Sequence, residues 1–214
     1  MSHRFIKGKA DQTLFIKKED GELIVAQVYV DDIIFGSTKD EVAHGFLKLM
    51  EANFEMRMIG ELTHFLKLQI HQQDSSILLS QSKYAKNLVK KFGLESDSSV
   101  RTLMSLNVKF TVDLLGKSVD SSLYRSMIGS LLYLTASRPD ISYSIGVCAR
   151  YQANPKESHM IALKRIIKYV KTVAEFDVWH SKDTNDVLAG YSDANWAGNA
   201  DDKKSALRGL FLCG

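Results

Sequence analysis

Residues 23–38 read LIVAQVYVDDIIFGST. Two adjacent carboxylates, Asp31 and Asp32, interrupt two strongly apolar runs. Bare negative charges beside buried strands repel each other and lose hydration, so a bound cation is the obvious compensation. The β-branched and aromatic run at 23–30 reads as a strand, and Ile33–Phe35 continues on the far side of the aspartates. A two-residue break between apolar runs predicts a tight antiparallel hairpin of residues 23–30 and 33–36 with Asp31 and Asp32 at its tip. Successive strand residues point to opposite faces, a rule that a turn relaxes, so two neighbours can both approach one metal region.

Working outward, residues 13–17 read as an earlier strand. After Gly36-Ser37-Thr38 a helix is expected, with Val42, Phe46, Leu49 and Met50 on its apolar face. A second hairpin pairs His64–His71 with Ile77–Ser80 across Gln73-Asp74-Ser75-Ser76. A short helix follows, lined by Tyr84, Leu88 and Phe92, with Gly93 where a C-terminal cap belongs. Residues 94–119 are polar and read as a connector. Leu123, Met127, Leu131 and Leu134 then form a helical stripe, broken at Arg138-Pro139-Asp140, where Pro139 is placed to open a second helix. Asn154, Pro155 and Glu157 fit the N-cap, first and third positions of a third helix. Its inward face carries Leu163, Ile167 and Val170. From about residue 176 the texture changes to short strands at Phe176–His180, Val187–Asp193 and Leu207–Leu212, which places a domain boundary near 175–186.

Composition bounds the class. Of 214 residues, 45% are hydrophobic and 25% charged, as in an ordinary soluble globular protein. A net charge of +3 permits a nucleic-acid partner without requiring one. Cys148 and Cys213 show no metal-ligand spacing, so a disulfide framework and a zinc site are not expected. No apolar run reaches the length of a membrane span and no signal-peptide core opens the chain, so an intracellular protein, cytoplasmic or nuclear and not secreted, is expected. Neither a nucleophile elbow G-x-S-x-G nor a phosphate-cradling G-x-x-x-x-G-K occurs.

The string Tyr29-Val30-Asp31-Asp32, set between apolar strands and followed by a helix, resembles the metal-binding box of a reverse transcriptase palm. Asp11-Gln12-Thr13-Leu14-Phe15, GELTHFLKLQI (60–70), SVDSSLYRSMIGSLLYLTASRPDISYSIGVCAR (118–150), NPKESH (154–159) and GYSDANWAG (190–198) extend the likeness in order along the chain. Together they resemble the Pol polyproteins of plant copia-type retrotransposons. The resemblance implies an α+β chain in three parts: the C-terminal part of a polymerase palm at 1–95, a helical connection at 96–180, and the opening strands of a ribonuclease H-like fold at 181–214. It implies RNA-directed DNA polymerisation with two Mg²⁺ ions roughly 3.5–4 Å apart. Asp31 and Asp32 match the catalytic, metal-binding aspartates, Tyr29 and Val30 match residues near the primer end and nucleotide pocket, and Asp193 matches the first ribonuclease H metal carboxylate. The implied partners are an RNA or DNA template–primer and deoxynucleotides, with no membrane.

The chain also departs from that pattern. In the family a further catalytic aspartate lies on a palm strand well upstream of the YVDD box, and the 28 residues before Tyr29 hold no matching motif. Glu19, Asp20 and Glu22 are the first places to look for a substitute ligand. Lys67 and Arg208 stand where the family usually has glycine, and Leu103 and Leu106 stand where it has proline. The expectation is a remnant that is inactive in isolation. The alternatives are a non-catalytic nucleic-acid-binding or interaction module, and completion of the site by a separately encoded partner. For the module, Lys83, Lys86 and Lys90 on one helix and Lys164, Lys168 and Lys171 on another are the candidate phosphate contacts, although such stripes are also ordinary solvated faces. Trp179 and Trp196 read as core or interface residues.

Overall fold

Strand β3 (Glu22–Tyr29) is the centre of the N-terminal sheet because its residues alternate in burial, with Ile24 and Ala26 buried and polar Gln27 between flanking apolar residues. It pairs antiparallel with β2 (Leu14–Glu19) on one side and β4 (Asp32–Ser37) on the other, and β1 (Ile6–Lys7) completes the order β1-β2-β3-β4. The computed structural model describes residues 5–104, 111–181, 183, 188–195 and 206–213. The chain divides into two units, Met1–Leu62 and Thr63–Gly214.

In the first unit, helix α1 (Asp40–Asn53) covers one face of the sheet through Phe46, with Val42 and Met50 packed beside it, as the helical spacing predicts. Phe46 meets Phe5 and Phe35 in tilted ring contacts with centroids 5.7 and 4.9 Å apart. Aromatic pairs of this geometry contribute about 0.5–1.5 kcal/mol beyond their buried area. The pairing Ala26↔Phe35 and Val28↔Ile33 puts Ile24, Ala26, Val28, Ile33 and Phe35 on the α1 side. Alternation therefore sends Tyr29, Asp32 and Gln27 to the other face.

The second unit carries another antiparallel sheet, β5 (His64–Phe65), β6 (Leu68–Gln73), β7 (Ser76–Ser80) and β8 (Val178–Ser181), in that order. His64–His71 is not one strand. The chain doubles back at Leu66 and Lys67, whose φ values of +46° and +61° put both in the left-handed region of a two-residue hairpin turn. The turn between β6 and β7 is only Asp74-Ser75, since Gln73 pairs with Ser76. The strand expected at Phe176–His180 runs from Val178 to Ser181 and hydrogen-bonds to β7, so it completes the second hairpin's sheet.

Five helical segments build the main core: α2 (Ser82–Lys91), α3 (Ser121–Leu134), a 3-10 turn (Pro139–Ile141), α4 (Ser142–Ala149) and α5 (Glu157–Thr172). Leu88, Met127, Leu131, Leu134, Leu163, Ile167 and Val170 lie in it, as their periodicity predicts, and Ile145 of α4 joins them. Two expectations shift. On α3 the inner face is completed by Tyr124 and Ile128, whereas Leu123 is 43% exposed. Helix α5 begins at Glu157 with Lys156 as N-cap, and the backbone N–H of Lys156 donates to His159 Nδ1 at 3.0 Å while His159 Nε2 bonds the Thr111 carbonyl at 2.8 Å. His159 is thus held at both ring nitrogens, a capping role that an Asn-Pro-x-Glu reading does not suggest.

Two signals work as the sequence suggests. Gly93 has φ +67°, and its N–H bonds the Lys90 carbonyl while the Leu94 N–H bonds that of Val89, so the end of α2 is closed by the paired bonds of a Schellman cap. Pro139 opens the turn into α4. Its neighbours form a lock: Arg138 is 4% exposed, its Nε and Nη2 donate to the two oxygens of Asp140 at 2.9 and 2.6 Å, and its Nη1 donates to the Val173 carbonyl at 2.8 Å. The guanidinium also sits over the rings of Tyr169 and Phe176. Burial raises the Asp140 pKa, but the Arg138 hydrogen bonds and charge, with the Tyr169 hydroxyl, outweigh it and leave it below the ordinary 3.8.

Between α2 and α3, residues 94–104 and 111–120 hold no helix or strand, in keeping with a connector. Strands β9 (Leu188–Asn195) and β10 (Ala206–Cys213) form an antiparallel pair in which Asp193 faces Arg208. Arg208 lies within strand β10, an extended conformation open to any residue, so a lost glycine has no backbone consequence there. Leu106 and Trp196 lie outside the described residues.

Candidate functional site

The first hairpin closes one residue earlier than expected. Tyr29 and Asp32 are its last register pair, so the turn is Val30-Asp31 and Asp32 is the first residue of β4. Val30 has φ +52° and is 80% exposed. A β-branched residue in the left-handed region is an outlier costing about 1–2 kcal/mol. Asp31 and Asp32 are both exposed, as is Tyr29. The tip thus presents two adjacent carboxylates to solvent, one in the turn and one on the sheet face turned away from α1.

Carboxylate oxygens are the donors that Mg²⁺ prefers, and Mg²⁺ is commonly held by one or two carboxylates plus waters and substrate phosphates. Asp31 and Asp32 fit that donor set in kind. Among the described residues no group of three or more His, Cys, Asp or Glu side chains is assembled for a metal. Glu19, Asp20 and Glu22 do not supply a third ligand: they border the β2–β3 turn, and the eight residues of β3 separate that end from the YVDD turn by about 23 Å at the usual strand rise. Glu22 is committed locally, with Lys39 and Thr38 bonding its carboxylate and lowering its pKa.

Asp11 precedes β2 and is a bracket: its Oδ1 accepts from the Thr13 N–H and hydroxyl, and its Oδ2 accepts from Gln27 Nε2 at 3.1 Å, so the Thr13 bonds and then Gln27 lower its pKa. Asp193 lies in β9 by its backbone, and its side chain is outside what the structure describes.

The two lysine stripes differ. Lys83, Lys86 and Lys90 lie on the exposed side of α2, with Lys86 paired to Glu175. On α5, Lys168 Nζ meets Asp97 at 2.8 Å and Lys171 Nζ donates to the Glu95 and Asp97 carbonyls at 2.5 and 2.7 Å. Asp97 has its pKa lowered chiefly by the Lys168 hydrogen bond, with the charges of Lys164 and Lys171 adding. Lys168 and Lys171 therefore hold the connector against α5, and Arg165 and Thr172 add bonds to Thr102 and Val100.

A cleft of about 840 Å³ opens between the Leu66-Lys67 turn, α2 and α3. Lys67, Lys83 and Lys91 line it with Tyr84, Tyr133 and Asn87. The Lys67 ammonium lies 5.2 and 5.5 Å from the Tyr84 and Tyr133 ring centroids, and the Tyr133 hydroxyl donates to the Leu66 carbonyl. Sequence periodicity places Tyr84 on the lining of one short helix and gives Tyr133 no role. The contact between Lys67 and both rings depends on a turn that the pattern of residues 64–71 does not announce.

Residues 1–105 match the family model described as reverse transcriptase (RNA-dependent DNA polymerase). The chain is 31% identical over 92% of its length to a retrovirus-related Pol polyprotein from transposon RE1 of Arabidopsis thaliana, and 29% identical over 98% to one from transposon TNT 1-94 of Nicotiana tabacum. It spans 14% and 16% of the length of those two proteins. It is also 29% identical to an uncharacterized mitochondrial protein of Arabidopsis thaliana, over 83% of this chain and 74% of that one. No solved structure matches the chain. A reverse transcriptase match over the segment that carries the exposed aspartate hairpin, joined to collinear similarity along nearly all of the remaining sequence, leads to one conclusion: the chain belongs to the reverse transcriptase family of plant retrotransposon Pol polyproteins.

Proposed function

We propose that the chain corresponds to the YVDD-bearing part of a copia-type reverse transcriptase, its helical connection and the opening strands of a ribonuclease H-like domain. Asp31 and Asp32 would hold Mg²⁺ in the intact parent, where a bound ion would supply Lewis acidity for the primer hydroxyl and positive charge beside the transferred phosphate. Tyr29 and Val30 flank the primer end and nucleotide. Asp193 is the first ribonuclease H carboxylate in this reading, supported by its place in GYSDANWAG and in an antiparallel strand pair. The observation that carries the proposal is the exposed Asp31–Asp32 pair, the second residue of the strained Val30-Asp31 turn and the first of β4, within the segment that matches the reverse transcriptase family.

Two carboxylates do not make a two-metal centre. The isolated 214-residue chain is therefore expected to show no primer extension with Mg²⁺, and to act inside cells only where further chain or a partner completes the site. Template-dependent incorporation that disappears in Asp31→Asn would overturn the inactive reading. Metal affinity is tested separately: millimolar Mg²⁺ should move the amide resonances of Val30–Ile33 in the native chain and not in the Asp31→Asn/Asp32→Asn variant. Equal responses in both would remove the metal assignment. The second reading, a non-catalytic nucleic-acid-binding module, is favoured by the lysine-lined cleft between α2 and α3.

A further inference from the structure

We infer that His159 is a proton-operated latch: its neutral ring clamps residues 111–119 across the start of α5, and protonation of the ring releases that strap. The latch lies outside the residues that the polymerase reading uses.

The two bonds of the ring fix where its proton sits. Nδ1 accepts from the Lys156 backbone N–H, so it carries no hydrogen, and Nε2 must then be the nitrogen that donates to the Thr111 carbonyl. A second proton has to enter at Nδ1, where it turns an acceptor into a donor that faces another N–H. The ring is 1% exposed and lies flat on Tyr151, with centroids 4.2 Å apart, so the new charge would be buried. It would also stand in the first turn of α5, at the positive end of the helix dipole. The ionisable groups on the adjoining segments are Lys156 at the cap, Glu157 beside it, and Asp113 and Lys117 on the strap. Lys156 Nζ donates to Ser118 Oγ at 3.0 Å, and Asp113 accepts from the Ser158 hydroxyl. The strap is otherwise held by few bonds. The Glu157 N–H donates to the Lys117 carbonyl at 2.9 Å, the Val119 N–H donates to the Pro155 carbonyl at 3.1 Å, and Ser118 and Lys156 form an isolated antiparallel bridge. All of these converge on residues 155–158, the turn that His159 caps, so losing the cap loosens them together.

The test is amide hydrogen exchange of the full chain between about pH 7.5 and about pH 5.5, corrected for intrinsic rates. A free imidazole titrates near about 6.5, so a closed strap that excludes the proton should open about tenfold more often at the lower pH. The amides of Lys156, Glu157 and Val119 should report that acceleration, while those of Leu131 and Leu163 in the core should not. His159→Gln supplies the control, because glutamine at the third helical position can cap the same N–H and does not titrate. It should keep the strap protected at both pH values. Nitrogen chemical shifts of the native ring give a reading that needs no variant, and should show hydrogen on Nε2 alone at the higher pH. A ring protonated at Nδ1 there, or equal corrected exchange at the two pH values, would overturn the inference. Acceleration that persists in His159→Gln, or that spreads evenly through the core, would overturn it too.

Discussion

Tyr29 and Asp32 face each other as the last pair of the β3–β4 ladder, which leaves Val30 and Asp31 alone to reverse the chain. The strain is confined to Val30, whose side chain is mostly in solvent and packs little. Replacing it with glycine removes the left-handed penalty and returns part of the gain as unfolded-chain entropy. Val30→Gly is expected to stabilise the first unit by about 0.5–1 kcal/mol in denaturant unfolding. A loss of stability would mean that Val30 makes contacts that its exposure conceals.

Arg138 is buried and serves three groups at once: Asp140, the Val173 carbonyl and the aromatic rings of Tyr169 and Phe176. Removing one partner of a buried pair typically costs about 3–5 kcal/mol. Arg138→Ala should fall near the lower end of that range, about 3 kcal/mol, because Asp140 is at the surface and can be rehydrated. Asp140→Asn should cost less. Equilibrium urea unfolding of both variants checks the order.

Acid should loosen the connector before the helical core. The Asp97 pKa is lowered in the folded chain, so its stabilising contribution is complete above the ordinary carboxylate value of 3.8 and is lost as pH falls through the lower folded value. Asp140 behaves with the same sign. Amide hydrogen exchange of residues 94–102 should therefore accelerate as pH falls below about 4, after correction for intrinsic rates, and Asp97→Asn should remove most of that dependence.

Gly93→Ala tests the cap on α2. A Cβ at this position meets nothing within 4 Å, so any penalty comes from the backbone at φ +67°. The expected cost is about 1 kcal/mol. Leu131→Ala, at a fully buried position of α3, should cost about 2–5 kcal/mol by contrast.

Period and punctuation carried most of the architecture. The alternation around Ala26, the helical spacing of Val42 and Phe46, Gly93 at the end of α2 and Pro139 before α4 each correspond to an observed element or cap. Turn positions were less legible. Asp31-Asp32 looks like the break in polarity, but the reversal needs a left-handed residue rather than a charged one, and it falls on Val30. Leu66-Lys67 hides a reversal inside an apolar run because neither residue type favours that conformation. The start of α5 was displaced because capping came from a histidine three residues into the helix and not from Asn154. At the candidate site the sequence located the two carboxylates, while the cleft lysines and tyrosines converge only through the tertiary fold, which periodicity does not encode.

The pairing of β8 with β7 has a kinetic consequence. All of α2–α5 lies between the two strands, so this ladder is among the most non-local contacts in the chain and its loop-closure entropy must be overcome late. During synthesis the edge of β7 emerges long before its partner and waits with unpaired backbone groups, the situation in which strands recruit other chains. Its residues Ile77, Leu78 and Leu79 are apolar, so a nascent chain stopped before Phe176 would carry an open, adhesive edge until something else covered it.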